Sequence, residues 1–325
     1  MRILFVGLND HNGWMYEYSK LINKYTNVIS NCILYKDIPG YGADIILKSN
    51  KKQINDILCI EDRLDLVCSF AKDTDIFIFN GCDIQTNGFK YGRIDWDKHI
   101  KGKQVYLFVG DMIYDSSQLF CTRSDLKTIT NQPRTYLEFC DSRPLTLDLV
   151  QPLLEIDPIY GPSKILEKVN SFLYRDEGEI KDIKNFETFL MIFSFLFNEF
   201  ENVEYVSTKG NMYQEVLPCL ENFNYSFDCL CPYGIYSRAS IEAAQLGLIN
   251  FVSMPSPYAE LFMEMTKLEG FCFDSVITEK DLYEKAKFWI THPKERIIRQ
   301  GQILQWTQKA FDSTKINNFV NLIIS

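Results

Sequence analysis

Between Phe227 and Val252 the chain passes from one short apolar segment to another through a helix of small residues, and this alternation restricts the fold more than any other stretch. Phe227-Asp-Cys-Leu-Cys231 has strand character, Pro232-Tyr-Gly234 is a turn, and Leu248-Ile-Asn-Phe-Val252 is a second apolar run closed by Pro255 and Pro257. Between them Tyr236-Ser-Arg-Ala-Ser-Ile-Glu-Ala-Ala-Gln-Leu-Gly247 reads as a helix ended by its glycine. Strand, loop, helix, strand is the repeating unit of parallel α/β sheets. In such a sheet the loop at a strand's carboxyl end and the helix N-terminus beyond it form a crevice whose N–H groups suit a phosphate. A carboxylate on the first turns, here Glu242, can accept from ribose hydroxyls. Composition alone fits better an ordinary βαβ unit with a solvated Glu242.

The chain has 325 residues with 46% hydrophobic and 14% aromatic content, enough to bury two cores and large for one. No stretch approaches ~20 uninterrupted apolar residues, and Met1-Arg-Ile-Leu-Phe-Val-Gly7 is too short an apolar run for a signal peptide, so the expected location is cytoplasmic. The ten cysteines are scattered, only Cys229 and Cys231 standing close together, which fits reduced core thiols rather than a zinc site or a disulfide framework. His11, His99 and His292 are too dispersed for a metal cluster, and no metal or cofactor is expected. A net charge of −9 argues against general nucleic-acid binding, which Lys and Arg contacts to phosphate dominate. Two basic groups, Lys48, Lys51 and Lys52, then Arg93, Lys98, Lys101 and Lys103, leave room for a local basic face. Richness in Lys, Ile, Asn, Phe and Tyr fits an AT-rich genome, such as that of a bacteriophage or a low-GC bacterium.

The first half opens with a buried strand, Arg2-Ile-Leu-Phe-Val6, then Gly7-Leu-Asn-Asp-His-Asn-Gly13, then helical spacing from Trp14 to Lys24. This is the opening of a nucleotide-fold domain, without a full G-x-G-x-x-G. Val28 to Leu34, Asp75 to Phe79 and Gln104 to Val109 read as further strands, with a helix from Gln53 to Ala71. Tyr106-Leu-Phe-Val-Gly-Asp111 ends a buried strand with a carboxylate at the sheet's carboxyl edge. The stretch from Thr122 to Arg143, carrying Arg123, Lys127 and Arg134, reads as a polar, basic loop able to approach an anionic acceptor. Pro144 to Pro162, with four prolines, reads as the crossing to a second domain, placing the boundary near residue 165. Beyond it Ser171 to Gly178 supplies a first strand and loop. Asn185 to Phe200 is a helix, Val203 to Ser207 a strand, and Met212 to Leu220 a helix. Lys280 to His292, Glu295 to Phe311 and a last segment through Leu322 are helical.

The Tyr236 to Ser253 segment resembles the donor-site signature of GT-B glycosyltransferases, in which a loop, a Glu-containing helix of small residues, a glycine and an apolar strand hold the nucleotide sugar. The resemblance implies an α/β GT-B fold, two Rossmann-like domains facing a cleft, with a C-terminal helix crossing back. The expected domains are 1–164 on the acceptor side, 165–305 on the nucleotide-sugar side, and a returning segment 306–325. It assigns donor binding to Ser237, Arg238, Glu242 and Ala243, with Gly234 in the loop, and the donor's diphosphate to Arg175 with Lys181 or Lys184. Gly7, Asn9, Asp10, His11 and Gly13 stand where the first domain's loop faces the cleft. Retaining members carry Glu-x7-Glu; Glu242 matches the second glutamate, while the first falls on Gly234, a departure from that pattern. The Asp111 phrase is similar to the strand-then-Asp element of phage DNA β-glucosyltransferases, which implies a general base.

The expectation is therefore a metal-independent glycosyltransferase moving a sugar from a nucleotide-sugar donor, a UDP-sugar foremost, to a hydroxyl acceptor. Asp111 would take the acceptor's proton as its oxygen attacks the anomeric carbon. The leading acceptor is a hydroxymethylated base in phage DNA, which requires extrusion from the stack. The alternatives are a cell-surface glycan or lipid acceptor, a non-catalytic nucleotide-sugar binding protein, and an epimerase.

Overall fold

A computed structural model describes residues 1–7, 13–36, 43–48, 65–80, 90–91, 94–109, 126–139, 147–155, 170–174, 186–207, 220, 222–230, 236–270 and 272–325. The chain forms two compact units, Met1–Leu153 with Ser313–Ser325, and Leu154–Asp312.

The first unit is built on a seven-stranded sheet, β1 (Arg2–Gly7), β2 (Ile29–Lys36), β3 (Ile45–Lys48), β4 (Ile76–Asn80), β7 (Gln104–Val109), β8 (Lys127–Thr130) and β9 (Leu147–Leu149). Its order is β3-β2-β1-β4-β7-β8-β9 and every ladder is parallel. Two further short strands, β5 (Lys90–Tyr91) and β6 (Ile94–Asp95), pair antiparallel on their own. Ile3, Leu4, Phe5 and Val6 are all buried, as are Ile76 to Phe79. Consecutive buried apolar residues, rather than alternating ones, are what a strand covered on both faces requires. On one face Phe77 and Phe79 close around Trp96, with ring centroids 6.2 and 5.8 Å away. On the other, helix Ile316–Ile324 presents Ile316, Phe319, Val320 and Ile323, a single stripe at helical spacing, all buried. Phe319 packs against Phe5 and Tyr18 at 6.5 and 4.7 Å between centroids, and the Tyr106 hydroxyl donates to the Ile323 carbonyl at 3.0 Å. The Tyr18 hydroxyl donates to the Gln151 carbonyl, and burial pushes its pKa upward.

The second unit carries a five-stranded parallel sheet, β10 (Asn170–Tyr174), β11 (Val203–Ser207), β12 (Tyr225–Cys229), β13 (Ile249–Val252) and β14 (Asp274–Ser275). The order is β11-β10-β12-β13-β14, so the connection reverses direction between β10 and β12. Phe172, Tyr225 and Phe251 stack across three neighbouring strands, Phe172 and Tyr225 at 4.3 Å, and helix Phe186–Glu199 adds Phe189 and Phe193 to that aromatic layer.

The buried Arg296 of helix Pro293–Ala310 donates to the Tyr225 hydroxyl at 3.0 Å and to the Asn170 side-chain carbonyl, to which Tyr225 also donates at 3.0 Å. Burial raises the Tyr225 phenol to about 12, against the opposing pull of Arg296. Such a phenol keeps its proton in the folded chain where the unfolded chain, with its ordinary value near 10, has lost it, so stability falls as pH rises from 10 to about 12. Tyr225→Phe is expected to remove about 1.4 kcal/mol per pH unit from that fall. Denaturant unfolding at a series of pH values measures it, and an unaltered slope would clear Tyr225 of the effect.

The structure corrects several expectations. The described part of the Thr122 to Arg143 stretch, 126–139, holds β8, starting at Lys127, and helix Pro133–Phe139, which includes Arg134, rather than a loop. The proline-rich crossing contains β9. At Pro255 and Pro257, expected only to close the apolar run, helix Ser256–Thr266 begins, with Pro257 in its first turn, where a missing N–H removes no intrahelical bond. Of the helix expected from Gln53 to Ala71, the described part is 65–71; the helix expected from Met212 lies outside the described residues apart from Leu220. Cys32, Cys68 and Cys272 are free thiols.

Candidate functional site

The site forms at the carboxyl end of β12. Phe227 pairs with Phe251 and Cys229 with Val252, so Asp228 is an extra residue in the ladder, a bulge at the strand's last turn. Bulges re-aim side chains and end pairing. Here Asp228, 2% exposed, accepts the backbone N–H of Ser237 at 2.9 Å and the hydroxyl of Ser240 through the same oxygen. Ser237 is the extended N-cap of helix Arg238–Gln245, and the Ser240 hydroxyl lies 3.4 Å from its N–H. A carboxylate on the leading N–H groups of a helix satisfies donors that the helix itself cannot and offsets its positive end. Asp228 therefore ties the helix start to the strand it follows.

Directly after Ser237, Arg238 donates through Nε to Glu242 Oε1, one turn further on, at 2.9 Å. The Arg238 side chain is 9% exposed and that of Glu242 is fully buried. An ion pair so far from solvent is tightly coupled, since removing either member strands the other's charge. The helix ends at Gly247, with φ +81°, in a Schellman turn: Gly247 N–H bonds to the Ala244 carbonyl and Leu248 N–H to the Ala243 carbonyl, both at 3.0 Å. Ala243 packs among Leu173, Leu246 and Leu248 in the core beneath. Gln245 donates to the Leu154 carbonyl at 2.8 Å and Thr307 to that of Ala244 at 3.2 Å, fixing the helix from behind.

Of the residues singled out from the sequence, the structure brings together Ser237, Arg238 and Glu242 on the first turns of one helix, with Ala243 turned into the core. Gly7 ends β1, and Gly13, with φ +64°, is the N-cap of helix Trp14–Tyr25. Asn9, Asp10, His11, Asp111, Arg175, Lys181, Lys184 and Gly234 lie outside the described residues. Sequence reasoning missed Asp228. Its signal was a lone acidic residue inside an apolar strand, a residue type rarely buried without partners.

Two all-parallel sheets with these strand orders, each flanked by helices, place the chain in the GT-B class of folds. Among solved structures sharing it, Anabaena HepE in complex with UDP-glucose superposes with a TM-score of 0.67 at 11% identity, covering 100% of this chain and 99% of that one. A glycosyltransferase from Rickettsia africae gives 0.60 at 10% identity, covering 99% and 97%. The lipopolysaccharide outer core galactosyltransferase WaaB, in its apo form, gives 0.58 at 13% identity, covering 100% and 99%. No protein-family model matches the sequence, and no curated protein matches it in sequence. The likeness is one of fold. Among the described residues no helix is long and apolar enough to cross a membrane, and no three His, Cys, Asp or Glu side chains gather as metal ligands.

Proposed function

We propose that this protein is a glycosyltransferase that takes its sugar from a UDP-linked donor. The observation that carries the reading is the buried Arg238–Glu242 pair on the opening turns of the helix after β12, beside the point where strand order reverses between β10 and β12. Ligands of open α/β sheets bind outside the carboxyl ends of the strands at such a reversal. HepE, of the same fold, is known in complex with UDP and with UDP-glucose, which supports uridine as the nucleotide.

In this reading Glu242, fully buried in the structure, accepts from the ribose hydroxyls once the donor displaces the groups that cover it. A carboxylate offers about four acceptor directions, so pairing with Arg238 is compatible with that role. Arg238 and Arg175 carry the diphosphate, neutralising the charge that builds on the departing nucleotide. Asp111 takes the acceptor hydroxyl's proton as that oxygen bonds to the anomeric carbon and the bond to the diphosphate breaks. For the acceptor we favour a glycan or lipid-linked hydroxyl, in line with WaaB, which is a lipopolysaccharide galactosyltransferase. A hydroxymethylated DNA base rests on the Asp111 phrase alone and has to overcome a net charge of −9.

The test is incubation with a panel of UDP-sugars, with glycan acceptors or with oligonucleotides containing 5-hydroxymethyl pyrimidines, followed by product mass and released UDP. A gain of one sugar residue on a glycan is the expected result, and a gain on the oligonucleotide would move the acceptor to DNA. UDP binding without turnover of any sugar would point instead to a non-catalytic binding protein, and conversion of the donor sugar with no acceptor present to an epimerase.

A further inference from the structure

We infer that Asp228 is a positioning residue for the donor site, acting through the start of helix Arg238–Gln245; this rests on the proposal that the helix binds a UDP-linked donor. Three independent features converge on it. The sheet spends a bulge at this one position, adding a residue to β12 just before the strand ends. The carboxylate is 2% exposed, a burial that Asp rarely tolerates unless its oxygens are taken. One carboxylate oxygen binds the helix start twice, accepting from the Ser237 N–H at 2.9 Å and from the Ser240 hydroxyl, and neither of these two donors is a charged group.

The consequence is geometric. Arg238 follows Ser237 directly and Glu242 lies one turn further, so the rotation and advance of the helix set where both side chains point. Gln245 and Thr307 fix the far end, and Asp228 fixes the near one. Without it the Ser237 N–H loses its 2.9 Å acceptor and the helix start is free to shift, carrying Arg238 and Glu242 with it.

The test compares Asp228→Ala with Asp228→Asn. The amide keeps an acceptor oxygen for Ser237 and Ser240 while removing the charge, whereas alanine removes both bonds. Asp228→Ala is expected to weaken UDP binding, measured by titration calorimetry, about 10-fold, and Asp228→Asn to weaken it less. Rescue by the amide is what a mere contribution to stability from the charge would not produce. Amide hydrogen exchange gives a readout independent of any ligand: in Asp228→Ala, protection is expected to fall across 238–242 and to persist in β10, β12 and β13. Unchanged UDP affinity in Asp228→Ala, or an amide variant as weak as the alanine one, would overturn the inference. So would unchanged exchange across 238–242. If wild-type protein fails to bind UDP, the donor reading fails, and the exchange comparison still decides whether Asp228 holds the helix. Should Asp228→Ala not fold, Ser240→Ala, which removes one of the two bonds, takes its place with the same criteria.

Discussion

Glu242→Ala is expected to destabilise the second unit by about 3–5 kcal/mol, because it strands the buried guanidinium of Arg238. The same substitution is expected to abolish measurable UDP binding, and taken alone it does not distinguish a ligand from a structural residue. The paired variant Arg238→Met with Glu242→Leu does. Replacing a buried ion pair with apolar side chains of similar volume is often neutral or stabilising. The double variant should therefore unfold close to the wild-type denaturant midpoint yet still fail to bind UDP. Recovery of both stability and UDP affinity in the double variant would assign the pair to the scaffold and remove Glu242 from the donor site. A single variant as stable as wild type would contradict the burial of the pair.

Gly247→Ala should lower stability by roughly 2–5 kcal/mol, from two causes that can be separated. Its φ of +81° is a left-handed conformation, which costs an L-residue about 1–2 kcal/mol. A Cβ there would also stand 2.8 Å from Leu304 Cγ and 3.0 Å from its Cδ1, and such overpacking typically costs about 1–3 kcal/mol more. Leu304 is a side chain and can be shortened. In a Leu304→Ala background, adding Gly247→Ala should cost only the conformational part, about 1–2 kcal/mol. Equal costs in both backgrounds, measured by equilibrium denaturation, would show that the close approach to Leu304 contributes nothing.

The central strands were legible because burial on both faces writes itself as an unbroken apolar run. β1, β4, β7 and β13 read plainly from Ile3 to Val6, Ile76 to Phe79, Tyr106 to Val109 and Ile249 to Val252. Of the outer strands, β11 was legible as Val203 to Ser207, but β8, β9 and β14 were not. β8 reads Lys-Thr-Ile-Thr, β9 is three residues long and β14 two, so neither length nor hydrophobicity separates them from loop sequence. They exist because a neighbouring strand offers them a ladder. Helix Ser256–Thr266 was hidden by a different ambiguity, since a proline stops a helix from within and opens one from its first turn. At the site, the helix and its Glu242 could be read from local pattern and resemblance. The Asp228 clamp could not, because the nine and twelve residues that separate it from Ser237 and Ser240 carry no periodicity that announces the contact.

The return of residues Ser313–Ser325 to the first unit also sets an order of events during synthesis. The second unit is one continuous stretch, Leu154–Asp312, and has all its strands available once that stretch has left the ribosome. The first unit, begun at β1, does not obtain the cover for Phe5 and Tyr18 until Phe319 emerges, after the whole of the second unit has been made. Domains generally fold as units in the order in which they appear, the N-terminal one first. Here the first unit starts before the second and closes after it, so a chain halted before Ser313 would carry a finished second unit and an open first one, with the apolar face of β1 exposed to chaperones and proteases.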